Sequence, residues 1–167
     1  MSNNIYLVGP MAAGKTTVGK LLSRELGWGF VDLDCLVEKG TGHSVTEIFR
    51  AEGEGRFRSL EKEALVEAAS RSQLVVALGS GTFVDPENRA IAMATGPCVF
   101  LDAPLEKILE RAREHESRPL SAGIEDLKRI IEFRRASYIL ADIHVDAGAS
   151  PERVVEAILE KVGKARG

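Results

Sequence analysis

Short apolar runs alternate along the chain with stretches in which apolar residues recur every three or four positions. The runs Ile5–Val8, Phe30–Asp32, Leu74–Leu78, Cys98–Leu101 and Ile143–Val145 predict strands. Between them, Lys15–Leu26 places Val18, Leu21, Leu22 and Leu26 on one helical face, and Arg56–Ala69 does the same with Leu60, Ala64, Leu65 and Ala68. Further helices are predicted from Pro86 to about Ala94, over Pro104–Glu114 and Glu125–Leu140, and over Pro151–Val162. Asp85 before Pro86, and Ser150 before Pro151, have the character of N-caps. Ser44-Val45-Thr46-Glu47 has capping-box spacing before a short helix. Strand alternating with helix implies parallel strands joined by right-handed crossovers, hence an α/β sandwich with ligands at the carboxyl ends of the strands. One segment breaks the rhythm. His115–Gly123 is polar, carries Pro119 and Gly123, and joins two helices without a strand; it reads as a surface loop or lid.

The 167 residues fit one domain, and a chain of this size buries about 70% of its unfolded surface. No disulfide or metal staple is needed. Apolar residues at 44% and charged residues at 28% exclude a disordered or fibrous chain. The net charge of −3 and the 5% aromatic content argue against a nucleic-acid or membrane surface, which needs basic patches or stacking platforms. A small anionic ligand needs only a local cluster of Arg and Lys, so it stays open. Met1-Ser2-Asn3-Asn4 leads into the first strand without a basic n-region or an apolar h-region. Cys35 and Cys98 have no CxxC spacing and read as small buried hydrophobes. A cytoplasmic location is expected. His43, His115 and His144 show no ligand spacing.

The strongest chemical signal is Gly9-Pro10-Met11-Ala12-Ala13-Gly14-Lys15-Thr16. It matches GxxxxGK[ST] and sits between a strand and a helix, as a phosphate-binding loop must. Backbone N–H groups of Ala12, Ala13, Gly14 and the residues up to Thr17 would surround the phosphates, with the helix N-terminus adding its dipole. Lys15 would reach the β- and γ-phosphates and the Thr16 hydroxyl would hold Mg²⁺. No [NT]-K-x-D guanine-reading motif occurs, which disfavours a GTP switch.

The acceptor side is read from four further features. Asp32-Leu33-Asp34, taken as strand, puts two carboxylates on one side at the strand end. Arg58 and Glu61 stand at i and i+3 on one helix face, so Glu61 can orient the guanidinium. Gly79-Ser80-Gly81 follows the third strand and allows backbone amides to approach a ligand. Arg134 and Arg135 precede Tyr138 on a long helix.

Together these residues resemble the shikimate kinases, P-loop metabolite kinases with a nucleoside-monophosphate-kinase-like fold. The likeness is carried by Leu7-Val8-Gly9-Pro10-Met11 through Thr17-Val18-Gly19 and by Phe30-Val31-Asp32-Leu33-Asp34. It continues through Glu38, Thr41-Gly42, Ile48-Phe49, Gly53-Glu54, Phe57-Arg58 with Glu61, Arg118-Pro119-Leu120, and Arg134 with Tyr138. The resemblance implies a three-layer α/β/α sandwich with a five-stranded parallel sheet in the order 2-3-1-4-5. It implies one kinase domain over residues 1–167, with a lid at about 115–123. The activity implied is transfer of the ATP γ-phosphoryl group to the 3-hydroxyl of shikimate, with Mg²⁺, in aromatic amino acid (chorismate) biosynthesis. Asp34 would face that hydroxyl, and Asp32 would assist Mg²⁺ through water. Arg58 and Arg134 would clamp the shikimate carboxylate beside Gly79, Ser80 and Gly81. Arg118 would close over the phosphates, and Arg111 and Pro151 would lie beside the adenine. A monomer is expected.

Three departures stand out. Ser80 replaces the middle of a glycine triplet, and either carries strain if its φ is positive or adds a hydrogen bond. Ala12 stands where a glycine is common. No Arg precedes Pro151. Two alternatives follow: a related metabolite kinase with a shifted acceptor, motivated by Ser80, or a catalytically weak binding protein on the same fold.

Overall fold

The computed structural model describes residues 3–114 and 123–166. Five parallel strands, β1 (Ile5–Val8), β2 (Gly29–Asp32), β3 (Leu74–Ala77), β4 (Cys98–Asp102) and β5 (Ile143–Asp146), lie in the order β2-β3-β1-β4-β5. The helices are α1 (Lys15–Leu26), α2 (Leu33–Thr41), α3 (Val45–Ala69), α4 (Pro86–Thr95), α5 (Leu105–Glu114), α6 (Gly123–Tyr138) and α7 (Pro151–Arg166).

Alternation along each central strand divides two cores. Tyr6, Val8, Val76 and Phe100 face the side covered by α3 and α4, with Leu65, Phe57 and Ala92. Ile5, Leu7, Val75, Val99 and Leu101 face the side covered by α1 and α7, with Leu22, Val18 and Ile158. Strands buried on both faces are what a parallel sheet requires. At its amino end the sheet is pinned by Asn4, fully buried, whose side chain donates to the carbonyls of Ala68 and Arg71 and accepts from the Leu74 N–H. Every buried polar atom of that side chain is thereby satisfied.

The strand order and helix alternation match the expected sandwich. Three local expectations are corrected. Asp32-Leu33-Asp34 is not a continuous strand: Asp32 ends β2 and caps α2, its carboxylate accepting from the Cys35 N–H at 3.2 Å, and Asp34 lies in the first helical turn. Helix α2 is not among the expected elements; its Leu33 and Val37 are buried at helical spacing. The short helix after Ser44 and the helix over Arg56–Ala69 are both present as read; they follow one another along α3 and are separated by the non-helical Gly53 (φ 83°, ψ 173°). A residue with a Cβ pays for that left-handed geometry, so glycine marks the bend. Cys35 is exposed on α2, although Cys98 is buried as expected. The full capping box at Ser44 and Glu47 and the Asp85 cap ahead of Pro86 form as read. The loop or lid predicted at His115–Gly123, including Arg118, lies outside the described residues up to 122, and Gly123 opens α6.

Candidate active site

The loop between β1 and α1 curls at the carboxyl end of the central strand. Gly14 enters α1 in a left-handed conformation (φ 97°), and Ala12 is also left-handed (φ 63°). For Ala12 this costs on the order of 1 kcal/mol relative to glycine, a strain the loop retains. Lys15 Nζ donates to the carbonyls of Gly9 at 2.6 Å and Pro10 at 2.8 Å, so the ammonium lies across the mouth of its own loop. Thr16 Oγ1 donates to Asp32 Oδ2 at 2.9 Å. The pair brings a hydroxyl and a carboxylate together, oxygen donors of the kind Mg²⁺ prefers. Among the described residues no group of three or more His, Cys, Asp or Glu could form a metal cage.

A cavity of about 280 Å³ flanks the loop and is lined by Ala12, Ala13, Gly14, Thr17, Arg111, Ala147, Ala149, Pro151 and their neighbours. Arg111 spans it, donating to the carbonyls of Ala13 at 3.3 Å and Ala147 at 3.1 Å. Lys107 Nζ reaches the Gly148 carbonyl at 2.6 Å. The segment before Pro151 lacks an arginine, and these two cations stand beside it instead.

A second cavity, about 510 Å³, opens between α3, α6 and the turn after β3; Glu54, Arg58, Gly81, Val84, Arg129, Phe133 and Arg134 line it. Arg58 NH1 donates to Glu61 Oε1 at 3.0 Å, and NH2 approaches Glu54 at 3.5 Å. Glu61 is no solvated surface partner, being only 1% exposed. Burial pushes its carboxyl above the usual range, more than the Arg58 guanidinium pulls it down. The turn itself is crowded. A Cβ at Gly81 would stand 2.7 Å from the Arg58 guanidinium, and one at Gly79 would stand 2.8 Å from Glu61 Oε2 and 3.2 Å from Asp34 Oδ1. A side chain at either position would have to displace the Arg58 guanidinium or the Glu61 carboxylate, so the glycines on both sides of Ser80 let the backbone lie against them. The same distances show that Asp34, Arg58 and Glu61 meet at one short loop.

From the other side, Arg134 NH1 donates to Ser80 Oγ at 3.1 Å and the Tyr138 hydroxyl donates to the Ser80 carbonyl at 2.5 Å. Burial raises the Tyr138 phenol to about 12, so it stays a donor. Arg135 turns away. It forms a two-pronged pair with Asp102 at 2.7 and 2.8 Å and lies over the Phe100 ring, fixing α6 against β4. This settles which of the adjacent arginines faces the cavity. Ser80 does not have positive φ, so the strained alternative for it is excluded and the hydrogen-bonding one holds.

The sequence pattern does not assign Tyr138 as a hydrogen-bond donor to the loop, Glu54 as a neighbour of Arg58, or Phe133 to the cavity. Phe133 is 79% exposed at the cavity rim. Glu54 had a usable signal, lying four residues before Arg58. Phe133 had none, since an exposed aromatic on an amphipathic helix looks like a misplaced core residue.

A 2-3-1-4-5 parallel sheet with a GxxxxGKT loop on its central strand, facing a cation-lined cavity, defines a P-loop phosphotransferase. A shikimate kinase family profile matches residues 11–163. A shikimate kinase from Persephonella marina is 41% identical over 161 residues, covering 95% of this chain and 98% of its own. One from Thermus thermophilus is 43% identical over 171 residues, covering 98% and 93%. The solved shikimate kinase of Acinetobacter baumannii, in complex with shikimate, superposes with a TM-score of 0.92 at 35% identity, covering 99% of this chain and 95% of that one. The chain belongs to the shikimate kinase family.

Proposed function

We propose that this protein transfers the γ-phosphoryl group of ATP to the 3-hydroxyl of shikimate, giving shikimate 3-phosphate and ADP, a step of chorismate biosynthesis. The observation that carries the reading is the convergence of Asp34, Arg58 and Arg134 on Gly79–Gly81, beside a phosphate-binding loop, in a member of this family. A shifted acceptor was considered because of Ser80, but its side chain turns to Arg134 without backbone strain and leaves the acceptor-side arginines in place.

In this reading the triphosphate lies along residues 12–17, with Lys15 moving from its own loop carbonyls to the β- and γ-phosphates. Arg111 and Pro151 flank the adenine. Thr16, and Asp32 through water, would hold Mg²⁺, which when bound neutralises phosphate charge. The forked guanidinium groups of Arg58 and Arg134 bind the planar carboxylate of shikimate, a geometry that Lys cannot reproduce. Asp34 accepts a hydrogen bond from the attacking hydroxyl and takes its proton late, because a loose phosphoryl transition state depends on positioning more than on deprotonation. Gly79, Ser80 and Gly81 form the floor of the acceptor site. One domain carries all of this, acting as a monomer in the cytoplasm. No described helix is long and apolar enough to cross a membrane.

The two adjacent arginines test the acceptor site. Arg134→Ala is expected to raise KM for shikimate by about 10–100-fold, the value of lost hydrogen bonds to a charged group, with KM for ATP little changed. Arg135→Ala removes the pair with Asp102, and is expected to lower stability by about 0.5–1 kcal/mol, as for other half-exposed pairs, with a much smaller effect on KM. Steady-state kinetics and thermal unfolding of both variants separate the roles; the reverse pattern would remove Arg134 from the acceptor site.

The raised carboxyl of Glu61 sets a pH dependence. Ionised Glu61 holds Arg58 with a full charge, and protonated Glu61 holds it much more weakly. KM for shikimate is therefore expected to rise as pH falls through a value above the ordinary 4.5 of a glutamate. Stability runs the other way. The folded protein binds this proton more tightly than the unfolded chain, so the contribution of Glu61 is fully present below 4.5 and is lost as pH rises through the folded-state value. Glu61→Gln should flatten the acidic limb of the KM profile; an unchanged limb would assign it to another group.

A further inference from the structure

We infer that Ser80 is a positioning residue for acceptor binding: its hydroxyl holds the Arg134 guanidinium in the orientation in which it receives the acceptor carboxylate. The inference rests on the acceptor reading above and deepens it, by giving a role to the one residue of the turn that need not be glycine.

The turn after β3 is closed by its own backbone, Thr82 N–H donating to the Gly79 carbonyl at 3.1 Å and Val84 N–H to the Gly81 carbonyl at 3.2 Å. Gly79 and Gly81 lie against Asp34, Glu61 and Arg58. Position 80 faces α6 instead. Arg134 and Tyr138 are one helical turn apart on that helix, and both grip the same residue. Tyr138 takes the Ser80 carbonyl and Arg134 takes its Oγ. The carbonyl contact needs no particular side chain at position 80; the Oγ contact needs a hydroxyl.

An arginine has many rotamers, and ordering one on binding costs affinity. A glycine at this position would remove the 3.1 Å partner and leave Arg134 with only the neighbouring Tyr138 hydroxyl, so its guanidinium would sample more rotamers until the carboxylate arrived. With Ser80, one N–H of the guanidinium is engaged beforehand and the plane of the fork is set. The guanidinium keeps further N–H donors for a carboxylate. The hydroxyl acts on the acceptor through Arg134 rather than by touching the reacting atoms, so its effect falls on acceptor binding rather than on the chemical step.

The test is a double-mutant cycle read in KM for shikimate. Ser80→Ala and Ser80→Gly are each expected to raise KM by about 3–10-fold, the range for freeing one rotamer-rich side chain. The effect on kcat should be smaller. Ser80→Thr, which keeps a hydroxyl, should recover most of the loss. In an Arg134→Ala background, Ser80→Ala should add nothing. If the rise persists in that background, the hydroxyl acts independently of Arg134 and the inference is wrong. It is equally wrong if Ser80→Ala leaves KM unchanged, or if Ser80→Gly raises it while Ser80→Ala does not, since the Cβ would then be what matters. A wild-type protein that phosphorylates shikimate alongside an unaffected Ser80→Ala overturns this inference alone. A wild-type protein that leaves shikimate unphosphorylated overturns the acceptor reading and this inference with it.

Discussion

Asp34→Asn is expected to lower kcat by about 10²–10⁴-fold, the contribution typical of a positioned general base, while nucleotide binding is retained. Asn has nearly the same shape, so the first turn of α2 and the packing against Gly79 should survive. What is lost is a charged acceptor for the hydroxyl proton. The position supports the role. Asp34 Oδ1 lies 3.2 Å from the point that a Gly79 Cβ would occupy, on the same loop that Arg58 and Arg134 approach. Asp32, two residues earlier, is engaged differently, with one oxygen on the α2 N-terminus and the other on Thr16. The two carboxylates thus divide, one beside the phosphate loop and one beside Gly79. Single-turnover phosphoryl transfer, together with nucleotide-dependent thermal stabilisation, checks the prediction. An unchanged kcat would take Asp34 out of the acceptor site.

Lys15→Ala is expected to reduce kcat/KM for ATP by about 10²–10³-fold, the scale for removing one preorganised stabiliser of developing charge. The Nζ now bridges two loop carbonyls at 2.6 and 2.8 Å. Those contacts keep the ammonium at the loop, a short rotation from any phosphate cradled there. Removing it costs the loop a small part of its own cohesion and costs the transition state a full positive charge. The thermal midpoint without nucleotide should therefore move little, whereas the nucleotide-induced shift should shrink strongly. Scanning fluorimetry with and without Mg-ATP, run beside the kinetics, distinguishes the two. Activity near the wild-type level would contradict the role of the loop.

The strand pattern and the phosphate loop were legible because each depends on local chemistry. The continuous apolar runs Ile5–Val8 and Cys98–Leu101 follow from two buried sheet faces, and GxxxxGKT carries its own backbone geometry. Helix α2 was not legible. Leu33, Leu36 and Val37 extend an apolar strand as easily as they begin a helix, and the deciding event is the Asp32 side chain capping the chain three residues on. The two arginines of α6 were separable by resemblance but not by helical pattern, because the choice is made by Asp102 on a distant strand. The burial of Glu61 was equally hidden: the i, i+3 pairing with Arg58 is visible in sequence, but the turn after β3 that covers the carboxylate is not. At Ser80 the sequence left two outcomes open, and the partner that decides between them lies 54 residues away.

The central claim is that the cation-lined cavity beside the phosphate loop selects shikimate as phosphoryl acceptor. The most direct test is ADP release by the purified protein with Mg-ATP, comparing shikimate with quinate, gluconate and nucleoside monophosphates at equal concentration. ADP release should be stimulated strongly by shikimate alone, with one shikimate 3-phosphate formed per ADP. Stimulation by another acceptor in its place, or nucleotide-dependent thermal stabilisation with no turnover of any acceptor, would contradict it.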